Sequence, residues 1–136
     1  MEPHYTSVWR HGNPMVIIQL PLMCVDTLLD LQDSLGGEKS LCHDFVSRYL
    51  QMWPGRFARI HAAVATGNNE AALDAALSLR SSSVMVGAAR LGELTTDLIL
   101  LLESHSHALA MTKLATLQSC GNQTAGQLAD FCKESH

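Results

Sequence analysis

Apolar residues recur every three or four positions along most of this chain, which is the spacing of one face of an α-helix. The alternation of apolar and polar residues that is typical of strands is confined to the N-terminal segment. A first helix is predicted over residues 27–35, with Asp26 as its N-cap and Gly36 and Gly37 at its end. The pattern therefore favours packed helices from about residue 24 onward.

A second helix is predicted to begin near Glu38. Leu41, Phe45 and Tyr49 follow at intervals of four residues, so we expect them to form its buried face. Pro54 falls inside the helical pattern. Because proline lacks a backbone N–H and clashes with the preceding turn, it predicts a kink there or a break into two segments.

Three further helices complete the pattern. Their predicted spans are approximately residues 70–86, 88–104 and 108–132. Gly87 separates the first two of these helices, since glycine is the residue that most often ends a helix. Gly121 and Asn122 are expected to loosen the middle of the last one.

Together these elements predict an all-α fold, namely an antiparallel four-helix bundle with an additional N-terminal helix. Residues 24–136 are expected to form this single domain, because a chain of 136 residues is long enough to bury a core. Residues 1–23 contain three prolines. They are expected to form an irregular, extended N-terminal arm that packs on the domain or on a neighbouring molecule.

Charge and composition narrow the classes of function. The formal net charge is −4 and lysine and arginine are nowhere clustered, so a nucleic-acid-binding surface is not expected. A helix needs about 20 apolar residues to cross a bilayer, and the apolar run at residues 15–23 is shorter, so no membrane span is expected. The four cysteines include no CxxC pair, and we expect reduced thiols in a cytoplasmic protein.

The third predicted helix carries a more specific pattern, formed by five residues at fixed spacing: Ala76, Leu79, Ser83, Gly87 and Ala88. The pattern resembles the signature of histidine phosphotransfer (HPt) domains, which usually reads Ala-His-x-Leu-Lys-Gly-x-Ser-x-x-x-Gly-Ala. Residues 45–50 and 54–57 resemble the stretch that precedes the phosphate-bearing helix in that family, and residues 66–69 resemble the intervening turn. The order and spacing of these pieces support the resemblance.

The resemblance also shows where this chain departs from the family. Leu77 stands at the position of the phosphorylated histidine, Arg80 stands in place of the lysine, and Ser81 in place of the first glycine. In the family, the histidine nitrogen attacks a phosphoaspartate of a receiver domain, which needs a lone pair and nearby positive charge. Leu77 has no lone pair, whereas Arg80 keeps the charge in a form that suits phosphate and carboxylate. The chain thus resembles an HPt module without its nucleophile.

Helical spacing places five residues of this segment on one face, and the resemblance implies that this face points outward. The residues are Leu73, Leu77, Arg80, Ser81 and Val84. An exposed apolar patch usually marks a partner site, so we expect them to form a partner-binding face. In the alternative, the N-terminal arm or the C-terminal helix covers Leu73, Leu77 and Val84.

The resemblance implies a non-phosphorylatable binding module of a bacterial two-component or phosphorelay system, whose partner is a response-regulator receiver domain or a histidine kinase. The sequence contains no Gly-rich phosphate loop, GxSxG or HExxH motif, so no enzymatic activity, cofactor or metal is expected. Two alternatives stay open. One is an active phosphorelay carrier that uses another histidine, and the other is a self-associating helical module, such as a homodimer.

Overall fold

The computed structural model describes residues 5–8 and 16–134. Within them, two short strands precede five helices. The strands are β1 (Tyr5–Val8) and β2 (Val16–Gln19), and the helices are α1 (Val25–Ser34), α2 (Lys39–Ala65), α3 (Asn69–Met85), α4 (Ala89–Glu103) and α5 (His107–Glu134). The prediction of an all-helical body is confirmed over residues 25–134.

The two strands pair with each other as an antiparallel hairpin, with Tyr5 opposite Gln19 and Val8 opposite Val16. Backbone pairing is thus present where an irregular arm was predicted. That prediction rested on three prolines, none of which belongs to either strand. Residues 1–4 and 9–15 of the predicted arm lie outside the described residues.

The start of α1 differs from the prediction. Cys24 occupies the N-cap position and Asp26 lies inside the first turn, so the prediction of Asp26 as the cap is wrong. A carboxylate in the first turn still interacts favourably with the helix dipole. At the other end the prediction is confirmed, because Gly36 and Gly37 both have a φ of 75°, a conformation that stops the helix.

The buried face of α2 agrees with the prediction only in part, since Tyr49 is buried and Phe45 half-buried. Leu41 is 48% exposed, whereas Cys42, Val46 and Tyr49 are buried. The core-facing side is therefore rotated by about one residue from the face that Leu41, Phe45 and Tyr49 would share. Apolar residues occupy both sides of this part of α2, so periodicity alone could not choose between them.

Pro54 does not divide α2, which extends from Lys39 to Ala65 as one helix. Proline removes one hydrogen bond to the preceding turn. However, Trp53 and Phe57 are both buried and hold the helix on the core on either side of the proline. Of the two predicted effects of Pro54, the break into two segments is therefore wrong, and the kink stays a prediction.

The boundaries of α3 agree with the prediction. The side chain of Asn68 caps the helix, since its Oδ1 accepts a hydrogen bond from the backbone N–H of Ala71 at 3.1 Å. Gly67 and Gly87, with φ values of 73° and 76°, form the turns before and after the helix.

The last helix, α5, is also uninterrupted, so Gly121 and Asn122 do not loosen it. Because Gly121 has no side chain, the ring of Trp53 packs directly on the backbone of α5. Trp53 Nε1 also donates a hydrogen bond to Asn122 Oδ1 at 2.9 Å. The residues that were expected to weaken α5 instead attach it to α2.

Helices α2 to α5 pack around one hydrophobic core. Helix α3 lies against α2 and α4, α5 contacts α2 and α4, and α1 packs on α2 and α3. Among the described residues, the largest side chains that are fully buried include Leu28, Ile60, Leu79, Leu91, Leu98, Leu117 and Leu128. This arrangement buries one side of α3 and leaves its other side outward.

The segment between β2 and α1 is attached to the turn between α3 and α4. The backbone N–H of Cys24 donates to the carbonyl of Gly87 at 2.7 Å. Arg90 binds the same segment twice, through its backbone N–H to the carbonyl of Pro21 at 3.0 Å and through Nε to the carbonyl of Leu20 at 2.7 Å. These bonds fix the segment beside the C-terminal end of α3.

Candidate functional site

The candidate site is the outward side of α3, which we call the α3 face: Leu73, Leu77, Arg80, Ser81 and Val84. Leu77 is 47% exposed and Val84 is 57% exposed. Arg80 and Ser81 are exposed as well, whereas Leu73 is half-buried against the core. The described residues thus leave Leu77 and Val84 exposed, while residues 1–4 and 9–15 of the arm that the alternative invokes lie outside them.

The opposite side of α3 holds the helix on the core. Ala72, Ala76, Leu79 and Ser83 are fully buried there. The Ser83 hydroxyl forms a buried hydrogen bond of 2.8 Å with the Tyr49 hydroxyl of α2. Burial raises the pKa of Tyr49 to about 12, so this phenol stays neutral at physiological pH. The α3 face thus projects from a firmly packed helix.

The Arg80 guanidinium is the cation of the α3 face. It lies three residues after Leu77, which is one helical turn. Among the described residues, no side chain or backbone group pairs with it. Its donors are therefore available to an anionic group that approaches Leu77 from outside.

A second cation beside α3 was not among the predicted site residues. Arg56 of α2 donates through Nη1 to the Ser82 hydroxyl and to the Ser78 carbonyl, the latter at 3.4 Å. Its Nη2 lies 3.7 Å from Met52 Sδ. Ser82 and Arg80 are two residues apart and so lie on nearly opposite sides of α3. Arg56 and Arg80 therefore flank the exposed part of the helix.

The sequence did contain a signal for Arg56. The residue lies in the stretch 54–57, which contributes to the resemblance described above. Its position beside α3, however, depends on the register between α2 and α3, which the buried pair of Tyr49 and Ser83 fixes. Such a long-range register is not visible in local periodicity.

Next to Arg56, a groove of about 190 Å³ opens between α2 and α3. We call it the α2–α3 groove. The residues that line it are Phe45, Arg48, Tyr49, Met52, Arg56 and Ser82. The groove combines apolar walls with two guanidinium groups and contains no carboxylate among its lining residues.

None of the histidines that the structure describes lies on α3. His43 and His61 lie on α2, and His105 and His107 lie at the junction of α4 and α5. His4, His11 and His136 are outside the described residues. In the described part of the chain, no group of three or more His, Cys, Asp or Glu side chains could hold a metal ion.

All four cysteines carry free thiols, and Cys42 and Cys120 are buried. Burial raises the pKa of both of these thiols. They therefore behave as small apolar residues of the core rather than as reactive thiolates.

Comparisons with known proteins give no independent support for the resemblance to HPt domains. The chain matches no protein-family model, no curated protein and no solved structure. Within residues 20–133, no helix has both the length and the apolar composition that a membrane crossing requires. The argument for a function therefore depends on the residues of this chain and their geometry.

Proposed function

We propose that this chain is an HPt-like antiparallel four-helix bundle, formed by α2 to α5, that serves bacterial two-component signalling in the cytoplasm as a binding module. It docks a response-regulator receiver domain, or a kinase, through the α3 face and accepts no phosphoryl group. The observation that supports this proposal is the exposure of Leu77 one turn before an exposed Arg80 that pairs with no described residue.

The chemistry of Leu77 excludes phosphotransfer at this position. A leucine side chain offers no lone pair to a phosphorus atom and cannot hold the transferred group. Arg80 can still form charge-assisted hydrogen bonds with a phosphate or a carboxylate. An HPt-like surface with Leu77 and Arg80 can therefore still bind an acidic partner, although it cannot accept a phosphoryl group.

Binding itself has a physical basis in the same residues. Leu77 and Val84 place two half-exposed apolar side chains on one side of α3, about two turns apart. Their burial in a complex is favourable by about 25 cal/mol for each Å² of apolar surface removed from water. Because the patch would occupy a receiver surface that a phosphotransfer protein also needs, we infer that this protein competes with phosphotransfer.

The test begins with capture of a receiver-domain protein from a lysate of the host, followed by titration calorimetry with purified variants. Leu77→Asp places an unpaired carboxylate in the contact and should weaken binding by several kcal/mol. Leu109→Asp is the matched control, because Leu109 lies on α5 and is similarly exposed, at 55%. It should leave the affinity unchanged.

Arg80→Ala tests the charge. It should cost about 1–2 kcal/mol of binding free energy and should reduce the dependence of binding on salt. Arg59→Ala, at an exposed position of α2, is the matched control. If Leu77→Asp folds normally and binds the captured receiver as tightly as the wild type, the α3 face is not the docking surface.

Two further measurements separate the alternatives. Acid-labile phosphate on a histidine of the wild-type protein, after incubation with a phosphorylated receiver, would favour an active phosphorelay carrier. A stable dimer by light scattering that Leu77→Asp dissociates would favour the self-associating module.

A further inference from the structure

We propose that the α2–α3 groove is a second binding site, which receives a carboxylate side chain of a protein partner. This proposal rests on the proposed function in one respect, namely that the same partner would also occupy the α3 face. The groove itself is argued from its own residues, and its test does not require a receiver domain.

Charge is the first argument. Arg48 and Arg56 both line the groove, and none of its lining residues is an aspartate or a glutamate. Asp44, one turn before Arg48, is exposed but does not line the groove. The net charge of the protein is −4, whereas the groove carries two arginines and no lining carboxylate. The groove is therefore a positively charged site on a negatively charged protein.

The hydrogen bonding of the two guanidinium groups is the second argument. Arg56 is held in place by Ser82 and by the carbonyl of Ser78, and these contacts use only its Nη1. Its Nη2 donates a hydrogen bond to Met52 Sδ at 3.7 Å, and no oxygen of a described residue accepts from Nη2 or Nε. Arg48 forms no hydrogen bond or ion pair with any described residue. A planar group with two oxygens would accept hydrogen bonds from Arg48 and would be a stronger acceptor for Arg56 Nη2 than the thioether sulfur of Met52.

The walls of the groove give the third argument. Phe45 is half-buried and Met52 is 48% exposed, so an occupant would contact apolar surface on its way to the arginines. A glutamate or aspartate side chain has methylene groups that can lie against these walls while its carboxylate reaches the guanidinium groups. A fully hydrated inorganic anion gains nothing from the same walls. The shape therefore favours an acidic side chain.

The location of the groove connects it with the α3 face. Ser82 lines the groove, and Ser81, the next residue, belongs to the α3 face. Ser81 and Ser82 lie about 100° apart around the helix, so a partner surface that covers Leu77 and Ser81 reaches Ser82 by following the exposed side of α3. We infer that the partner carries exposed apolar residues next to at least one carboxylate.

The test is an NMR titration of the full chain labelled with ¹⁵N. The probe is N-acetyl-glutamate N-methylamide, and the matched neutral probe is N-acetyl-glutamine N-methylamide. We expect the glutamate compound to shift the Arg56 Nε–Hε signal and the Ser82 amide in a saturable way at millimolar concentration. The glutamine compound should leave both signals in place.

Three variants locate the binding. Arg48→Gln and Arg56→Gln should each weaken the response to the glutamate compound by about three- to tenfold, since each removes charge-assisted hydrogen bonds. Arg59→Gln is the control, because Arg59 is an exposed arginine of the same helix outside the groove. Arg48 bonds to no residue that the structure describes, so Arg48→Gln keeps the result interpretable even if Arg56→Gln unfolds.

Several outcomes would overturn the proposal. They are the absence of a saturable shift, equal responses to both compounds, and an unchanged response in Arg48→Gln. A stronger response to inorganic phosphate than to the glutamate compound would also overturn it and would identify the groove as a phosphate site. None of these results bears on Leu77, so failure of the groove and failure of the α3 face are distinguishable.

Discussion

The hydroxyl groups of Tyr49 and Ser83 lie 2.8 Å apart and form a hydrogen bond inside the core. Tyr49 is 5% exposed and Ser83 is fully buried. The bond joins α2 to α3 and sets their register, so that Arg56, two turns after Tyr49, meets Ser82 of α3. This register places the α2–α3 groove beside the α3 face.

Tyr49→Phe should destabilise the protein by about 1–2 kcal/mol. The ring still fills its place, but the Ser83 hydroxyl is left buried without its partner. Urea denaturation followed by circular dichroism measures the loss. The double variant Tyr49→Phe/Ser83→Ala should lose less than the sum of the single variants, because both changes remove the same bond. Additive losses would show that the two hydroxyl groups are not coupled.

The raised pKa of Tyr49 predicts a pH dependence of stability. Burial raises this pKa from 10 to about 12, so the unfolded chain loses the phenol proton at lower pH than the folded protein. Between these two values the folded state binds more protons, and the free energy of unfolding falls as pH rises. The loss from Tyr49 approaches about 2–3 kcal/mol at the upper end of the range.

The control for this pH dependence is Tyr49→Phe. Other groups also titrate above pH 9, among them Cys120, whose pKa burial raises as well. The difference between wild type and variant isolates the phenol. If both proteins lose stability equally over this range, the Tyr49 phenol is not the group responsible.

The ends of the helices could be predicted where a residue determines the local backbone. Gly67 and Gly87 have positive φ, and Asn68 supplies a side-chain cap, so local chemistry alone predicts both limits of α3. The prediction of Asp26 as the cap of α1 was wrong because the sequence allows a helix to start either at Asp26 or just before it. The hydrogen bond from the Cys24 N–H to the Gly87 carbonyl fixes the start at Cys24.

The buried faces could be predicted only where apolar residues lie on one side. On α4, Leu91, Leu94 and Leu98 recur at helical spacing among mostly polar residues, and all three are buried. On α2, the choice between the Leu41 side and the Cys42 side depends on where α3 and α5 dock. The exposure of Leu77 was implied by the resemblance and not by its own helix, which is apolar on both sides. The position of Arg56 beside α3 could not be predicted, because it depends on the register between α2 and α3.

Gly121→Ala should destabilise the protein by about 3 kcal/mol, since a methyl group there overlaps the ring of Trp53 and forces both helices to shift. Thermal unfolding with tryptophan fluorescence measures the loss. Gly126→Ala on the same helix is the control, because nothing lies within 4 Å of its added methyl group. The control should gain about 0.5–1 kcal/mol from helix propensity. Equal effects of the two changes would show that Trp53 does not pack on Gly121.

Leu77→His should give the protein phosphoacceptor activity. The imidazole would be as exposed as Leu77, at 47%, so the fold should tolerate it with a change of stability within about 0.5 kcal/mol. Arg80, one turn away, would stabilise the incoming phosphoryl oxygens. Incubation with phosphoramidate or a phosphorylated receiver, followed by an assay of acid-labile phosphate, measures the transfer.

Leu100→His provides the control for position, because Leu100 is 58% exposed and is followed one turn later by Glu103 instead of a cation. It should accept little phosphate, since the carboxylate repels the donor. Leu77→His/Arg80→Ala should accept less than Leu77→His alone, because the stabilising charge is gone. If Leu77→His folds but accepts no more than Leu100→His, α3 does not present this position as an HPt domain presents its histidine. The resemblance would then describe packing inside the bundle and not the geometry of a phosphotransfer surface.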